Sequence, residues 1–194
     1  MKEILYVILD QWADWEPAYL STAVKTFGNN LYINRTVSLT SDPVESIGGF
    51  RVTPDYEINS IPENYEALIL VGGMSWRNKE AELIKPLVQN CFKSGKILGG
   101  ICDATFFLAS TGVLNGVKHT GNGLNSLKPL EIYTGENNYI EKQAVNDKNV
   151  ITANGSAPLE FAREILISLD ITEENEINEW YKFNKIGFYK SDII

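Results

Sequence analysis

The sequence is poor in the residues that build disulfide frameworks, metal centres and nucleic-acid surfaces. Its 194 residues include two cysteines and one histidine, and 17 Lys and Arg stand against 25 Asp and Glu, for a net charge of −8. Without a second histidine or a Cys-x-x-Cys motif, we expect no metal site and assign no cofactor. A chain this acidic, with no cluster of Lys or Arg, lacks the cationic surface that nucleic acids and anionic membranes attract, so we expect neither as a partner.

Long hydrophobic runs and targeting segments are also missing. The longest apolar run, from Ile4 to Leu9, is far short of the ~20 residues of a membrane-spanning helix. Met1 leads directly into this run without a signal-peptide pattern. With few cysteines, these features predict a cytoplasmic location. The length predicts one domain over residues 1–194, of which about 172–194 form a C-terminal surface extension.

Apolar runs alternate with helical patterns along the chain. The runs predict buried parallel strands near residues 4–9, 32–39, 65–71, 97–101 and 150–153, with helices between them. This alternation predicts an α/β fold, a three-layer α/β/α sandwich of the flavodoxin-like type with a mostly parallel sheet. Ligands of such sheets bind beyond the carboxyl ends of the strands, which directs attention to residues 10–16, 72–76 and 100–105.

Cys102 lies where a predicted strand meets a predicted helix. Gly100 and Ala104 stand two residues before and two residues after it, as the tight turn of a nucleophile elbow requires. A thiol at a helix N-terminus is favoured as the thiolate. A buried, inert cysteine at a strand end is an equally good interpretation of these residues. Cys91, within a predicted helix, is interpreted as an inert thiol.

Five segments in the same order resemble the DJ-1/PfpI superfamily, which has the class I glutamine amidotransferase-like fold. They are a strand and loop ending in Glu16-Pro17, Leu-Val-Gly-Gly at 70–73, Gly-Lys-Ile-Leu-Gly-Gly-Ile-Cys-Asp-Ala at 95–104, the stretch 112–120, and Ile-Thr-Ala-Asn-Gly at 151–155 with the helix that follows. The resemblance covers roughly residues 3 to 170. It implies the fold, and it implies roles for particular residues.

By this resemblance Cys102 is the elbow cysteine, and Glu16 is the acid whose protonated carboxyl hydrogen-bonds the sulfur and lowers its pKa. The backbone N–H groups of Gly73 and Asp103 are implied to form an anion-binding pocket. A favourable acid in the first turn of a helix is the alternative interpretation of Glu16.

The chain departs from the family pattern in its histidines. Asp103 stands where protease-like members have His after the cysteine, and Asn122 stands where other members supply His from a later loop. The single histidine, His119, comes three positions earlier, and we interpret it as a structural imidazole. A cysteine nucleophile normally needs a base, and the sequence leaves three possibilities for it. His119 reaches the cysteine from an unusual direction, Asn122 and Asp103 orient a water molecule, or the hydrolytic triad is absent.

The resemblance implies a cysteine-dependent hydrolase, either intracellular-protease-like or glyoxalase/deglycase-like, which acts on peptides or small carbonyl compounds. The alternatives are a non-enzymatic thiol redox and stress sensor, in which the cysteine is oxidised to sulfinate, and a regulatory relative without chemistry. A homodimer is expected, as is usual in the family. Trp12, Trp15 and Trp76, in or beside the predicted site loops, either wall a pocket or cover a sheet edge or dimer contact.

Overall fold

A seven-stranded sheet runs through the centre of the protein in the computed structural model, which describes residues 1–190. Its strands, in spatial order, are β5 (Tyr56–Glu57), β2 (Tyr32–Ser38), β1 (Lys2–Val7), β6 (Ala67–Leu70), β7 (Ile97–Ile101), β9 (Val150–Ala153) and β8 (Ala144–Asp147). Every pairing is parallel except that of β8 with β9. Two further short strands, β3 (Val44–Glu45) and β4 (Arg51–Val52), form a separate antiparallel hairpin.

Helices cover both faces of this sheet. The helices are α1 (Ala18–Phe27), α2 (Lys85–Lys93), α3 (Asp103–Ser110), α4 (Leu124–Leu127), α5 (Pro158–Ser168) and α6 (Glu174–Ile186), with 3₁₀ turns at Lys79–Ile84, Glu136–Asn138 and Phe188–Lys190. Buried side chains of α1, α5 and α6 share one core, and those of α2, α3 and α4 share another on the opposite face. The predicted sandwich with a mostly parallel sheet is therefore confirmed. Over residues 1–190, no helix has the length and hydrophobicity to cross a bilayer.

The register of the central strands brings three loops together. Val7 at the end of β1 is level with Leu70 at the end of β6, and Leu70 is level with Gly100 near the end of β7. The segments that follow these strands therefore start side by side at one edge of the sheet. Because these strands are covered by helices on both sides, their buried residues are apolar, from Ile4 onward in β1 and throughout β6 and β7, and the sequence shows them as apolar runs.

Two short strands were not predicted. Strand β8 joins β9 through Lys148 and Asn149, both with positive φ (53° and 62°), a tight turn without the usual glycine. Strand β5 has two residues and no periodicity to detect. Residues 79–93 form the 3₁₀ turn followed directly by α2, and Pro86 lies in the first turn of α2. Helix α6 lies in the predicted C-terminal extension, whose residues 191–194 fall outside the described part.

Candidate active site

Cys102 occupies a sharp turn between β7 and α3. Its backbone has φ 58° and ψ −128°, a conformation that costs a non-glycine residue on the order of 1–3 kcal/mol. The turn is held by hydrogen bonds from the Cys102 N–H to the Ala153 carbonyl (3.0 Å) and from the Thr105 hydroxyl to the Cys102 carbonyl (2.6 Å). A strained, partly exposed cysteine at the start of a helix has the geometry of a nucleophile elbow.

Glu16 is buried beside this cysteine, in the segment that joins β1 to α1. Its side chain has no exposed surface, and Oε2 accepts a hydrogen bond from the Gly72 N–H at 2.7 Å. Gly72 lies between the Glu16 carboxyl and Cys102. A Cβ at Gly72 would lie 2.6 Å from the Cys102 Cβ and would collide with the carboxyl oxygens, so the two side chains are close together. The second oxygen, Oε1, has no hydrogen bond of ordinary geometry within residues 1–190, and the Cys102 thiol is the side chain with which the carboxyl interacts.

Burial sets the protonation of this pair. It raises the pKa of Glu16 to about 7, against the opposing effect of the Gly72 N–H. Burial also raises the pKa of the Cys102 thiol; the Asn122 amide and the Asp103 N–H lower it, and a charged Glu16 raises it further. Because each negative charge disfavours the other, the two groups titrate together, and a protonated Glu16 favours ionisation of the sulfur.

Asn122 contacts the sulfur from the side of the later loop. Its Nδ2 donates to Cys102 Sγ at 3.3 Å, while Oδ1 accepts from the Gly155 N–H at 2.9 Å. The second bond fixes the orientation of the amide, so that its donor faces the sulfur. A Cβ on Gly155 would lie 2.8 Å from Sγ, which leaves room there for glycine alone. Gly155 was not predicted as a site residue, although it ends the last of the five matching segments.

The two predicted backbone donors lie at this site. The Asp103 N–H is at the start of α3 and interacts with the sulfur. Gly73 lines the same cavity as Cys102 and donates no hydrogen bond to the part of the chain that the structure describes. Its loop is fixed by hydrogen bonds from the Ala13 N–H to the Gly72 carbonyl (2.9 Å) and from the Met74 N–H to the Gln11 carbonyl (3.1 Å). Gly73 and Asp103 thus both line the cavity next to Cys102.

Asp103 is paired with an arginine that sequence reasoning missed. Arg77 binds its carboxylate in bidentate fashion, with Nη2–Oδ1 at 2.6 Å and Nε–Oδ2 at 2.8 Å. The guanidinium lies 4.2 Å from the centre of the Phe106 ring. The negative charge of Asp103, next to Cys102, is therefore balanced by Arg77, which engages its carboxylate.

His119 is not brought to the sulfur. It is fully buried, with Nδ1 at 2.8 Å from the Val117 carbonyl and Nε2 at 2.7 Å from the Tyr133 hydroxyl. Burial lowers the pKa of the imidazole. Both ring nitrogens are engaged, so the alternative in which His119 reaches Cys102 does not hold, and the ring occupies a structural position.

Cys91 is also fully buried, and burial raises the pKa of its thiol to about 11.

Cys102 and Asn122 both line two cavities. The smaller, of about 440 Å³, is lined by Ala13, Trp15, Ile47, Gly73, Met74 and Arg77 together with Cys102, Asp103 and Asn122. The larger and more open one, of about 740 Å³, has polar walls that include Tyr139, Lys142 and Asn154. Of the three predicted tryptophans, Trp15 lines the smaller cavity; Trp12 is largely buried, and Trp76 is buried with Nε1 bonded to the Val71 carbonyl at 2.7 Å.

The chain belongs to the DJ-1/PfpI family, whose family model matches residues 2–168. It is 42% identical over 190 residues to the uncharacterized protease YdeA of Bacillus subtilis, covering 97% of this chain and 94% of that protein. The crystal structure of a thiJ/pfpI family protein from Bacillus anthracis superimposes with a TM-score of 0.90 at 33% identity, over 95% of this chain and 91% of that one. Deglycase PH1704 of Pyrococcus horikoshii is 26% identical over 159 residues, 81% of this chain and 92% of that protein.

Proposed function

We propose that this protein is a cysteine-dependent hydrolase of small carbonyl compounds, related to glyoxalases and deglycases, with Cys102 as nucleophile and Glu16 as the acid and base. The observation that carries the proposal is the buried pair formed by these two residues. Burial places the pKa of Glu16 at about 7, where one carboxyl can both donate and accept a proton at neutral pH. That one relative is named a deglycase and another an uncharacterized protease supports a hydrolase of this family.

The reaction of a 2-oxoaldehyde follows from these positions. The thiolate of Cys102 adds to the aldehyde carbon, and the oxygen takes the proton of Glu16, with the N–H groups of Gly73 and Asp103 as donors to the developing charge. The carboxylate then removes the hydrogen from that carbon as a proton, and the electron pair forms an enediolate whose charge lies on the neighbouring oxygen. The hydroxyl proton passes to that oxygen, Glu16 returns its proton to the neighbouring carbon, and a thioester of a 2-hydroxy acid results. Water adds to the thioester carbonyl and gives a proton to the Glu16 carboxylate, the carbon–sulfur bond breaks, and the thiolate leaves, which restores both groups.

The missing imidazole favours carbonyl addition over peptide cleavage. Cleavage of a peptide bond requires an acid that protonates the departing amine, which is the second task of the histidine in a Cys-His pair. Here both nitrogens of His119 are engaged elsewhere, and Arg77 engages the Asp103 carboxylate. Addition to an aldehyde releases no amine, so a single carboxyl is sufficient.

Turnover of methylglyoxal tests the proposal. The wild-type protein should consume it and form lactate, and Cys102→Ser should abolish the reaction. Glu16→Gln should lower kcat by about 100-fold or more, the usual contribution of general acid–base catalysis. Cys91→Ser is the matched control, because that thiol is buried away from the site, and it should keep the wild-type rate. Lactate formation that survives Cys102→Ser, or cleavage of casein without any turnover of methylglyoxal, would contradict the proposal.

A redox role is the second candidate, and the donors around the sulfur favour it. The Asn122 amide and the Asp103 N–H face the sulfur, and a protonated Glu16 adds a third donor, so oxygen atoms of a sulfinate at Cys102 would be held there. Mild peroxide, which supplies both oxygen atoms, should then add two oxygens to the intact protein and none to Cys102→Ser. Rapid overoxidation to sulfonate, or oxidation at Cys91 instead, would argue against it.

A further inference from the structure

One wall of the site is apolar and exposed, although the proposed chemistry does not require it. The cavity of about 440 Å³ next to Cys102 has Ala13, Trp15, Ile47 and Met74 in its lining. The last three expose 47%, 44% and 70% of their surface. Large apolar side chains grouped at the mouth of a reactive site are characteristic of a surface that binds an apolar group.

Main-chain hydrogen bonds hold this wall in place. The Ile47 N–H donates to the Trp12 carbonyl at 2.8 Å, and the Gly48 N–H donates to the Asp14 carboxylate at 2.7 Å, which fixes the β3–β4 hairpin against the loop after β1. Met74 is tied to the same loop through its bond to the Gln11 carbonyl. Three separate segments therefore form one wall before any ligand binds, and binding there does not require them to be ordered first.

The cavity next to Cys102 has a polar and an apolar part. Asn122, which donates to the sulfur, and Arg77, which binds the Asp103 carboxylate, belong to the polar part, whereas Trp15, Ile47 and Met74 form the apolar part. A substrate of three carbons would meet the polar groups and leave the apolar wall in contact with water. A substrate with a ring next to its carbonyl would cover both parts.

We propose that this cavity binds a ring-sized apolar group attached to the carbonyl that Cys102 attacks, so that aryl-substituted 2-oxoaldehydes are better substrates than methylglyoxal. The preference among 2-oxoaldehydes rests on the proposed function, whereas the binding of a ring in the cavity does not depend on it. Trp15 supplies a flat face for the ring, and Ile47 and Met74 close the sides.

Alkylation of Cys102 tests the recognition without any turnover. The rate constants for chloroacetamide and N-phenylchloroacetamide are measured by intact mass, each divided by its rate constant with glutathione. The corrected ratio should favour the phenyl reagent by about tenfold in the wild type, which corresponds to about 1.4 kcal/mol. Trp15→Ala and Met74→Ala should each lower the ratio at least threefold. Phe50→Ala is the matched control, because Phe50 is 65% exposed on the same hairpin and does not line the cavity.

Turnover supplies the second measurement, with mandelate from phenylglyoxal compared with lactate from methylglyoxal. We expect kcat/KM to be higher for phenylglyoxal and the advantage to fall in Trp15→Ala. A preference for the phenyl reagent in alkylation, without turnover of either aldehyde, would support the cavity and overturn the proposed function. Turnover of methylglyoxal with a corrected alkylation ratio near one, unchanged in Trp15→Ala, would overturn the cavity inference and leave the function standing.

Discussion

Replacing Glu16 by glutamine is expected to change how the stability of the protein depends on pH. Burial raises the pKa of this carboxyl from its usual 4.5 to about 7 in the folded state. Between these values the folded protein binds a proton that the unfolded chain does not, so the free energy of unfolding falls as the pH rises through this window. At 1.36 kcal/mol per pKa unit, the loss amounts to about 3 kcal/mol. That is a large part of the 5–15 kcal/mol typical of a folded domain.

The glutamine variant should escape this loss. The glutamine amide is neutral at every pH. Its oxygen can still accept a hydrogen bond from the Gly72 N–H, as the Glu16 carboxyl does at 2.7 Å. Urea unfolding followed by tryptophan fluorescence should show the two proteins within about 1 kcal/mol of each other at pH 4.5. At pH 7.5 the variant should be more stable by about 3 kcal/mol.

A second variant separates burial from the neighbouring thiol. Cys102→Ser keeps the buried carboxyl and removes only the thiol, and because burial is the main cause of the raised pKa of Glu16, its stability should fall with pH much as in the wild type. If the difference in free energy of unfolding between the wild type and Glu16→Gln is the same at pH 4.5 and pH 7.5, the reasoning about the buried carboxyl is refuted.

Three further predictions concern the sulfur and the assembly. Iodoacetamide at pH 6–7 should alkylate Cys102 much faster than the fully buried Cys91, and equal rates would contradict the assignment. Gly155→Ala should slow this alkylation at least tenfold, since its Cβ would lie 2.8 Å from Sγ; an unchanged rate would mean that the sulfur is not confined there. Sedimentation should give a homodimer of twice 21.7 kDa at micromolar concentration, and a monomer alone would reject that expectation.

The sequence was most informative where burial dictates residue type. The strands β1, β6, β7 and β9 are covered on both faces, so their buried residues are almost all apolar, and their parallel order places the following loops together. That order directed attention to residues 10–16 and 100–105, and the family resemblance identified Glu16 as the partner of Cys102. The small residues Gly100 and Ala104 around Cys102 likewise predicted the strained turn that the structure has.

Features set by tertiary contact were not visible in the sequence. Arg77 is 26 positions from Asp103, and nothing in either segment indicates that they form an ion pair. The apolar wall combines Trp15, Ile47 and Met74 from three loops with no shared periodicity. The hydrogen-bond partners of His119 could not be predicted either. Its partner Tyr133 comes from the region rich in glycine and asparagine, where sequence patterns are least informative.

The ionisation of Cys102 with and without the Glu16 proton tests the central claim most directly. Thiolate absorbance at 240 nm is followed against pH in the wild type, Glu16→Gln and Glu16→Leu, with Cys102→Ser as the blank. The glutamine amide can still donate to the sulfur, so the thiol pKa should stay near its wild-type value, whereas leucine removes the donor and should raise the pKa by roughly a unit or more. A Glu16→Leu protein whose thiol titrates like the wild type, or at lower pH, would show that Glu16 does not supply the proton that allows Cys102 to ionise.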